Sequence, residues 1–199
     1  MKKIILTSTL FIIAITLFGQ SPLDNINTKF DDGTWGEVIP RGSANLPPSG
    51  SYPSSKINGF TLTNAAMYGS NTACSKGGKH AVCIILDKQK EGAYVEFPPV
   101  KELEELEIHA STGTSGMKFA LEEKVKNSWQ EVGIYTTQRN DSVYIIKLPR
   151  EKETALRIRN ATNSGLFVYQ ITTKTSNDVN RVNISKYSLG EGSKISANL

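Results

Sequence analysis

The stretch from Leu103 to Thr137, LEELEIHASTGTSGMKFALEEKVKNSWQEVGIYTT, decides the fold class. Leu106, Ile108 and Ala110 alternate with polar residues before the turn-forming segment STGTSG, and the same alternation returns over residues 117–122. A period of two places one row of side chains in a core and the other in water, as in a β-strand. Small residues between two such segments predict a chain reversal. The stretch therefore predicts two antiparallel strands joined by a turn.

A third strand is predicted over residues 129–136, which makes the stretch a β-meander. Further strands are predicted in INGFTLT, KHAVCIIL, AYVEF, SVYIIKL, TALRIRN and LFVYQIT, and NAAMYG is expected to be either a continuation of INGFTLT or a bend after it. The proline-rich segment 40–55 is expected to form a long loop. About ten short antiparallel strands, each with one face in water, must bury their other face against a second sheet. The sequence therefore predicts an all-β protein, an antiparallel β-sandwich or jelly roll.

The N-terminal segment 1–20 has the pattern of a secretory signal peptide, with two lysines followed by an apolar run from Ile4 to Phe18. This run is short for a spanning helix and a polar segment follows it, so a cleaved signal is favoured over a membrane anchor. The protein is therefore expected to be exported to the periplasm, the cell surface or the medium, with no transmembrane anchor after cleavage.

Composition divides the rest of the chain into three parts. Residues 21–29 are polar and are expected to form a flexible N-terminal segment. Residues 30–174 contain the predicted strands and are expected to form a single β-sandwich domain. Residues 175–199 are polar with weak periodicity, so a disordered tail is expected there.

The charge of the chain argues against a nucleic-acid partner. The full sequence has a net charge of +4, and loss of the two signal-peptide lysines leaves 21 basic residues against 19 acidic ones. A net charge of +2 is too small for a typical nucleic-acid-binding protein, and export argues against that function as well. The sequence leaves the oligomeric state open.

The two cysteines, Cys74 and Cys83, are predicted to form a disulfide, because exported proteins meet an oxidising environment. Closing a loop of about 10 residues stabilises a fold by roughly 2.5–3 kcal/mol. A zinc site built from Cys74, His80 and Cys83, with His109 as a fourth ligand, is the alternative. Its spacing matches no common zinc motif.

The sequence contains no motif that predicts an enzyme. GTSG at residues 113–116 is not a GxSxG nucleophile elbow, and the phosphate-binding loop and HExxH are both absent. The acidic residues between Glu102 and Glu107 alternate along a predicted strand, which is typical of a solvated face rather than of a catalytic pair. No cofactor is therefore expected to be required.

Asp31 and Asp32 precede a glycine near the start of the predicted domain. Carboxylates and carbonyl oxygens are the ligands that calcium prefers, so a structural calcium ion is one interpretation of this pair. A plain acidic turn is the other.

Aromatic and basic side chains are the remaining candidates for ligand binding. Sugar rings stack on aromatic side chains, and their hydroxyls form hydrogen bonds with polar groups. Arg157 and Arg159 alternate outward on one predicted strand, and Tyr52 lies in the long loop, where we expect it to be exposed. Trp35 and Trp129 are candidates for either ligand stacking or core packing. The predicted binding residues are Trp35, Tyr52, Tyr68, Trp129, Arg157 and Arg159.

Seven strand-and-turn segments of the chain carry a resemblance to a known family. They are GTWGEVIP, SGSYPSS, INGFTLTNAAMYG, GGKHAVCIILDK, GAYVEFPPV, EIHASTGTSGMKFALEE and LRIRNATNSGLFVYQI. Over about residues 31–173 the chain resembles the β-sandwich modules found beside pectate lyases and other polysaccharide-degrading enzymes of secreted Bacteroidota proteins. That resemblance implies a carbohydrate-binding-module-like accessory domain, with plant or algal polysaccharide as its partner. Such sandwiches often have an acidic pair before the last strand, where this chain has Tyr169-Gln170-Ile171, a departure that weakens the calcium interpretation.

Three functions follow as expectations. The first is a secreted protein that binds polysaccharide without cleaving it. The second is a structural or adhesive protein of the cell envelope that binds another protein. The third is a polysaccharide lyase or hydrolase, since jelly rolls host those enzymes too. Fold arguments do not choose among the three.

Overall fold

The computed structural model describes residues 25–40, 43–69, 80–88 and 92–176. The predicted signal peptide, Cys74 and nearly all of the predicted tail lie outside these residues. Within the described ranges, no helix has the length and apolar character needed to cross a bilayer.

The described residues contain twelve strands. They are β1 (Asn27–Thr28), β2 (Ser55–Ile57), β3 (Phe60–Thr63), β4 (Ala65–Gly69), β5 (Val82–Leu86), β6 (Tyr94–Glu96), β7 (Leu103–Thr112), β8 (Lys118–Val125), β9 (Ser128–Thr136), β10 (Ser142–Lys147), β11 (Leu156–Asn160) and β12 (Leu166–Thr175). The first sheet has the order β10-β7-β12-β5-β4, with β1 also paired to β12, and the second has the order β2-β3-β6-β11-β8-β9. The strand pairs within both sheets are antiparallel.

The core lies between the two sheets and is built from one row of each alternating strand. On β7 this row contains Leu106, Ile108 and Ala110, and on β11 it contains Leu156 and Ile158, all of them at most 1% exposed. Both rows belong to one continuous hydrophobic cluster. The chain is therefore an all-β antiparallel β-sandwich, and the predicted fold class is confirmed.

The predicted meander is wrong at its first turn. β7 belongs to the first sheet, between β10 and β12, whereas β8 pairs with β9 and β11 in the second sheet. The segment between β7 and β8 crosses the edge of the sandwich and is held by Thr112 Oγ1 at 2.7 Å from Thr137 Oγ1, and by Gly116 N donating to Thr137 O at 2.9 Å. Alternation marks the buried face of each strand but does not reveal which strand lies beside it.

The strand predicted over Ile57–Thr63 is also corrected, because it is a hairpin of β2 and β3. Asn58 and Gly59 form its turn, with positive φ angles of 47° and 86°. Two consecutive left-handed residues are typical of a type I′ turn, for which Asn-Gly is the preferred sequence. The Asn-Gly pair was therefore a signal for a hairpin.

The last residues of the segment 21–29 lie against the first sheet, and the predicted flexibility of that segment stays a prediction. β1 pairs with β12, and the Ile26 backbone N donates to Thr173 Oγ1 at 2.7 Å. Ile26 is itself buried in the core at 3% exposure. The burial of Ile26 and the pairing of β1 with β12 together hold this end of the described chain.

Candidate functional site

Two arginines lie on the outer side of the second sheet because of the alternation in β11, LRIRN. Leu156 and Ile158 face the core, so Arg157 and Arg159 face away from it. β11 lies between β6 and β8 in the middle of the sheet. The two guanidinium groups therefore have neighbouring strands on both sides.

Glu122 on β8 binds both arginines. It is the register partner of Arg157, whose Nε donates to Glu122 Oε2 at 2.5 Å. Arg159 Nε donates to the other carboxylate oxygen at 2.6 Å. A second carboxylate, Glu131 on β9, lies 3.7 Å from Arg159 Nη2. Both oxygens of Glu122 are thus occupied by charge-assisted hydrogen bonds.

Glu122 stays ionised because of these two partners. Its side chain is only 9% exposed. Burial by itself raises the pKa of Glu122, but the hydrogen bonds from Arg159 and Arg157 and the charges of both guanidinium groups outweigh burial and hold the pKa below its ordinary value.

Two aromatic rings contact Arg157. Its guanidinium carbon lies 4.5 Å from the centre of the Tyr94 ring on β6 and 4.4 Å from the centre of the Trp129 ring on β9. The Lys124 ammonium is 5.7 Å from the Trp129 ring. These distances are typical of cation–π contacts. Two aromatic rings, one from a strand on each side of β11, therefore contact the same guanidinium group.

We name this surface the Arg157 face. It consists of Tyr94, Glu122, Trp129, Glu131, Arg157 and Arg159. Its two arginines are balanced by two carboxylates. The face thus presents half-buried aromatic rings beside polar groups whose positions are held by ion pairs.

Three of the predicted binding residues, Trp129, Arg157 and Arg159, lie together on the Arg157 face. Sequence reasoning missed Tyr94 and Glu122. Tyr94 alternates with the buried residues of AYVEF, which was a signal for its outward position. Nothing in the sequence showed that Glu122 lies opposite Arg157, because that pairing depends on the register of two strands distant in sequence.

Trp35 lies in the core, one of the two roles that the sequence left open for it. It is 4% exposed, and its ring centre lies 4.8 Å from that of Phe30 and 5.1 Å from that of Phe60. It is not part of the Arg157 face.

Tyr52 and Tyr68 lie away from the Arg157 face. Tyr68 is on β4 of the first sheet, and its ring centre is 6.4 Å from that of Phe167. Tyr52 is half-buried, not exposed as predicted. Burial, followed by the negative charge of Asp87, raises its pKa to about 12.

The acidic pair near the N-terminus forms a local turn. Asp31 and Asp32 are exposed, and Asp32 Oδ1 accepts hydrogen bonds from the Thr34 backbone N at 2.9 Å and from Thr34 Oγ1 at 2.7 Å. These bonds lower the pKa of Asp32. This geometry is that of an Asx turn. The calcium ion stays a prediction.

Of the four residues in the alternative zinc site, the structure brings two together, His80 and His109. The rings of His80 and His109 lie 5.4 Å apart, and Asp141 joins them. Cys83 is buried, with its Sγ 3.5 Å from the Tyr68 carbonyl oxygen, and it is not a member of that group. Because Cys74 lies outside the described residues, the disulfide stays a prediction.

Comparison with known proteins supports the fold. No protein family profile and no curated protein matches the chain. Among solved structures, the K2 cleaved adhesin domain of Lys-gingipain is similar with a TM-score of 0.51 at 9% identity, covering 76% of this chain and 99% of that domain. At this identity the likeness shows the β-sandwich fold.

Two carbohydrate-binding modules are also similar, at lower TM-scores. CBM35 from Paenibacillus barcinonensis has a TM-score of 0.43 at 14% identity, covering 62% of this chain and 98% of that one. CBM29_1 from Piromyces equi has a TM-score of 0.41 at 13% identity, covering 64% of this chain and 90% of that one.

Proposed function

We propose that the chain is an exported, non-catalytic protein that binds polysaccharide on the Arg157 face. The observation that carries the proposal is the contact of Arg157 with both Tyr94 and Trp129, held by Glu122. Sugar rings offer apolar C–H faces to aromatic rings and hydroxyls to charged or polar groups. The Arg157 face has both kinds of partner within one small area.

The positions of these partners are set before a ligand arrives. Glu122 holds both guanidinium groups, so the arginines lose little conformational freedom when they donate their remaining N–H groups to a sugar. Rigid donors bind more tightly than mobile ones because less entropy is lost on binding. The arrangement therefore favours recognition of hydroxyl-rich surfaces.

The charge balance of the face favours a neutral polysaccharide. Arg157 and Arg159 are already paired with Glu122 and Glu131, so the positive charge that the face offers an acidic glycan comes mainly from Lys124 beside Trp129. The sequence resemblance implies plant or algal polysaccharide as the source, and we carry that ligand class into the proposal.

The state of Glu122 argues against a glycoside hydrolase that uses this face. A general acid in such an enzyme needs a raised pKa so that it is protonated near neutral pH. Glu122 has a lowered pKa and both of its oxygens accept hydrogen bonds from arginine. It is built to hold the arginines, not to donate a proton.

Affinity electrophoresis of the full chain tests the proposal. Gels would contain neutral plant or algal polysaccharides or polygalacturonate, each with and without calcium. We expect retardation in a neutral-glycan gel that is reduced in Trp129→Ala and kept in Val143→Thr, a change on the first sheet. Free migration in every gel would contradict the proposal, and retardation that needs calcium would support the predicted ion at Asp31 and Asp32.

A second candidate function, binding of another protein at the cell envelope, is favoured by the edge strand β10. Val143 and Ile145 are 52% and 60% exposed on this strand, which pairs only with β7 among the described strands. Exposed apolar residues on an open strand edge are typical of a surface for another chain. Under this alternative, Val143→Lys would abolish recovery of an envelope partner while Trp129→Ala would not.

A further inference from the structure

Three side chains converge on the first sheet, across the core from the Arg157 face. His109 lies in β7, Asp141 immediately precedes β10, and His80 lies two residues before β5. One donor atom from each lies within 4.8 Å of the other two. The side chains of His80 and Asp141 are 4% and 5% exposed, and that of His109 is 17% exposed. Two imidazoles and a carboxylate thus lie close together in a site with little exposure to solvent.

Two hydrogen-bond acceptor atoms of this cluster lie against each other. His109 Nε2 lies 2.9 Å from Glu107 Oε1. Because a carboxylate oxygen accepts, Nε2 carries the proton, and Nδ1 of the neutral ring is left with a lone pair. That Nδ1 lies 3.5 Å from Asp141 Oδ2, which also accepts. Such a contact is relieved by a metal ion between the two atoms or by one more proton on the ring or the carboxyl group.

Several atoms of the cluster have no hydrogen-bond partner among the described residues. They are His80 Nδ1, His109 Nδ1 and Asp141 Oδ1. Buried polar atoms of this kind nearly always have partners in folded proteins, so unpaired ones call for a bound species. Of the three, His109 Nδ1 is the atom that lies against Asp141 Oδ2, and the side chains of His80 and Asp141 around it are each more than nine-tenths buried.

The spacing of the donor atoms matches tetrahedral zinc. Bonds of about 2.0–2.1 Å to a tetrahedral Zn²⁺ place neighbouring ligand atoms about 3.3–3.5 Å apart. His80 Nε2 lies 3.3 Å from Asp141 Oδ2, and His109 Nδ1 lies 3.5 Å from the same oxygen. These two edges of the tetrahedron are already in place without any movement of the backbone.

We propose that His80, His109 and Asp141 bind one divalent transition-metal ion, with zinc as the best match to their two nitrogens and one oxygen. Glu107 accepts the Nε2 proton of His109 and orients its ring, as carboxylates commonly do behind metal-bound histidines. The fourth position is open to water or to an outside ligand. Asp141 also lines a cleft of about 330 Å³ with Ser115 and Arg139.

The ion would act as a cross-link within the first sheet. The three ligands come from β7 and from the residues just before β5 and β10, and β5 is separated from β7 by β12. A ligand that binds only the folded state stabilises it in proportion to the logarithm of its concentration over its Kd. The inference is independent of polysaccharide binding, since it concerns the opposite sheet.

Cobalt titration tests the site. The full chain, purified without a histidine tag and stripped with EDTA, would be titrated with Co²⁺ and then with Zn²⁺. We expect one Co²⁺ per chain with the visible absorption of tetrahedral cobalt, displacement by Zn²⁺, and a rise in Tm. The sulfur-to-cobalt charge-transfer band should be absent, because Cys83 is not in the cluster.

Variants assign the ion to these residues. His80 and His109 are the only two histidines of the chain, so an imidazole site has no other source. Asp141→Asn and His109→Gln should lower affinity at least 100-fold, Glu107→Gln should lower it about 10–100-fold, and the exposed Glu153→Gln should leave it unchanged. If Asp141→Asn fails to fold, the affinity of Glu107→Gln for Co²⁺ is the measurement that decides.

Three results would overturn the proposal. One is absence of Co²⁺ binding in the micromolar range, which would leave a shared proton on His109 as the species between the ring and Asp141. Another is equal binding by all variants, which would mean an adventitious ion only. The third is a sulfur charge-transfer band, which would place the ion at cysteine.

Discussion

Glu122 and Arg157 lie opposite each other on β8 and β11, and the carboxylate of Glu122 uses its second oxygen to hold Arg159 as well. One buried acid therefore keeps two cations on the outer side of the second sheet. Arg157 in turn contacts the rings of Tyr94 and Trp129. Removing the acid would free both guanidinium groups and loosen the whole Arg157 face.

Glu122→Gln should destabilise the fold by about 2–3 kcal/mol, because it leaves the partly buried Arg157 without a charged partner and Arg159 with only the more distant Glu131. Urea unfolding at pH 7 measures the loss. Glu153→Gln, an exposed acid, is the matched control and should change stability by less than about 0.5 kcal/mol. An equal effect of the two substitutions would contradict the role assigned to Glu122.

The same pair predicts a pH dependence. The pKa of Glu122 is lowered in the folded state from its ordinary value of 4.5, so the unfolded chain binds the proton more tightly. The stabilisation by Glu122 is therefore complete above the unfolded pKa and is lost as pH falls through the folded one. The stability difference between wild type and Glu122→Gln should shrink below about pH 4.5. A difference that is constant down to pH 3 would refute this.

Trp129→Ala should weaken polysaccharide binding about 2- to 13-fold, since an aromatic contact of this kind is worth about 0.5–1.5 kcal/mol. Trp129 is half-buried on an edge strand, so the fold should change little. Titration calorimetry with the glycan retarded in gels gives the affinity, and Trp129→Tyr should retain most of it. Unchanged affinity in Trp129→Ala would move the binding site elsewhere.

Asp87→Ala should loosen the loop that precedes β2. The Asp87 carboxylate accepts hydrogen bonds from Ser49 Oγ and from the Gly50 backbone N, both at 2.6 Å. Amide hydrogens of residues 43–54 should then exchange faster while those of β7 do not. The pKa of Tyr52 should fall from about 12 but stay above its ordinary value, because burial raises it more than the charge of Asp87 does.

The disulfide between Cys74 and Cys83 is testable by thiol titration of the denatured chain. With only two cysteines, the unreduced protein should show no free thiol and the reduced protein two. Reduction should lower stability by roughly 2.5–3 kcal/mol, the value for a loop of about 10 residues. Two thiols without reduction would refute the bond.

The sequence by itself was enough to predict which side of each long strand faces the core. Leu106 and Ile108 on β7 and Leu156 and Ile158 on β11 are buried as their alternation indicates. The reason is local, because the two-residue period of a strand is a property of the backbone. The outward position of Arg157 and Arg159 followed from the same rule.

Which strands are neighbours was decided only in the tertiary structure. β7 and β8 are close in sequence yet lie in different sheets, and the registers that bring Glu122 to Arg157 and His109 to Asp141 join segments far apart along the chain. Such pairings depend on how all twelve described strands pack around one core, since each strand needs a partner for its edge and a surface for its apolar face. Alternation determines on which face of the sheet a side chain lies, but only the packing of the whole sandwich determines which residues it contacts.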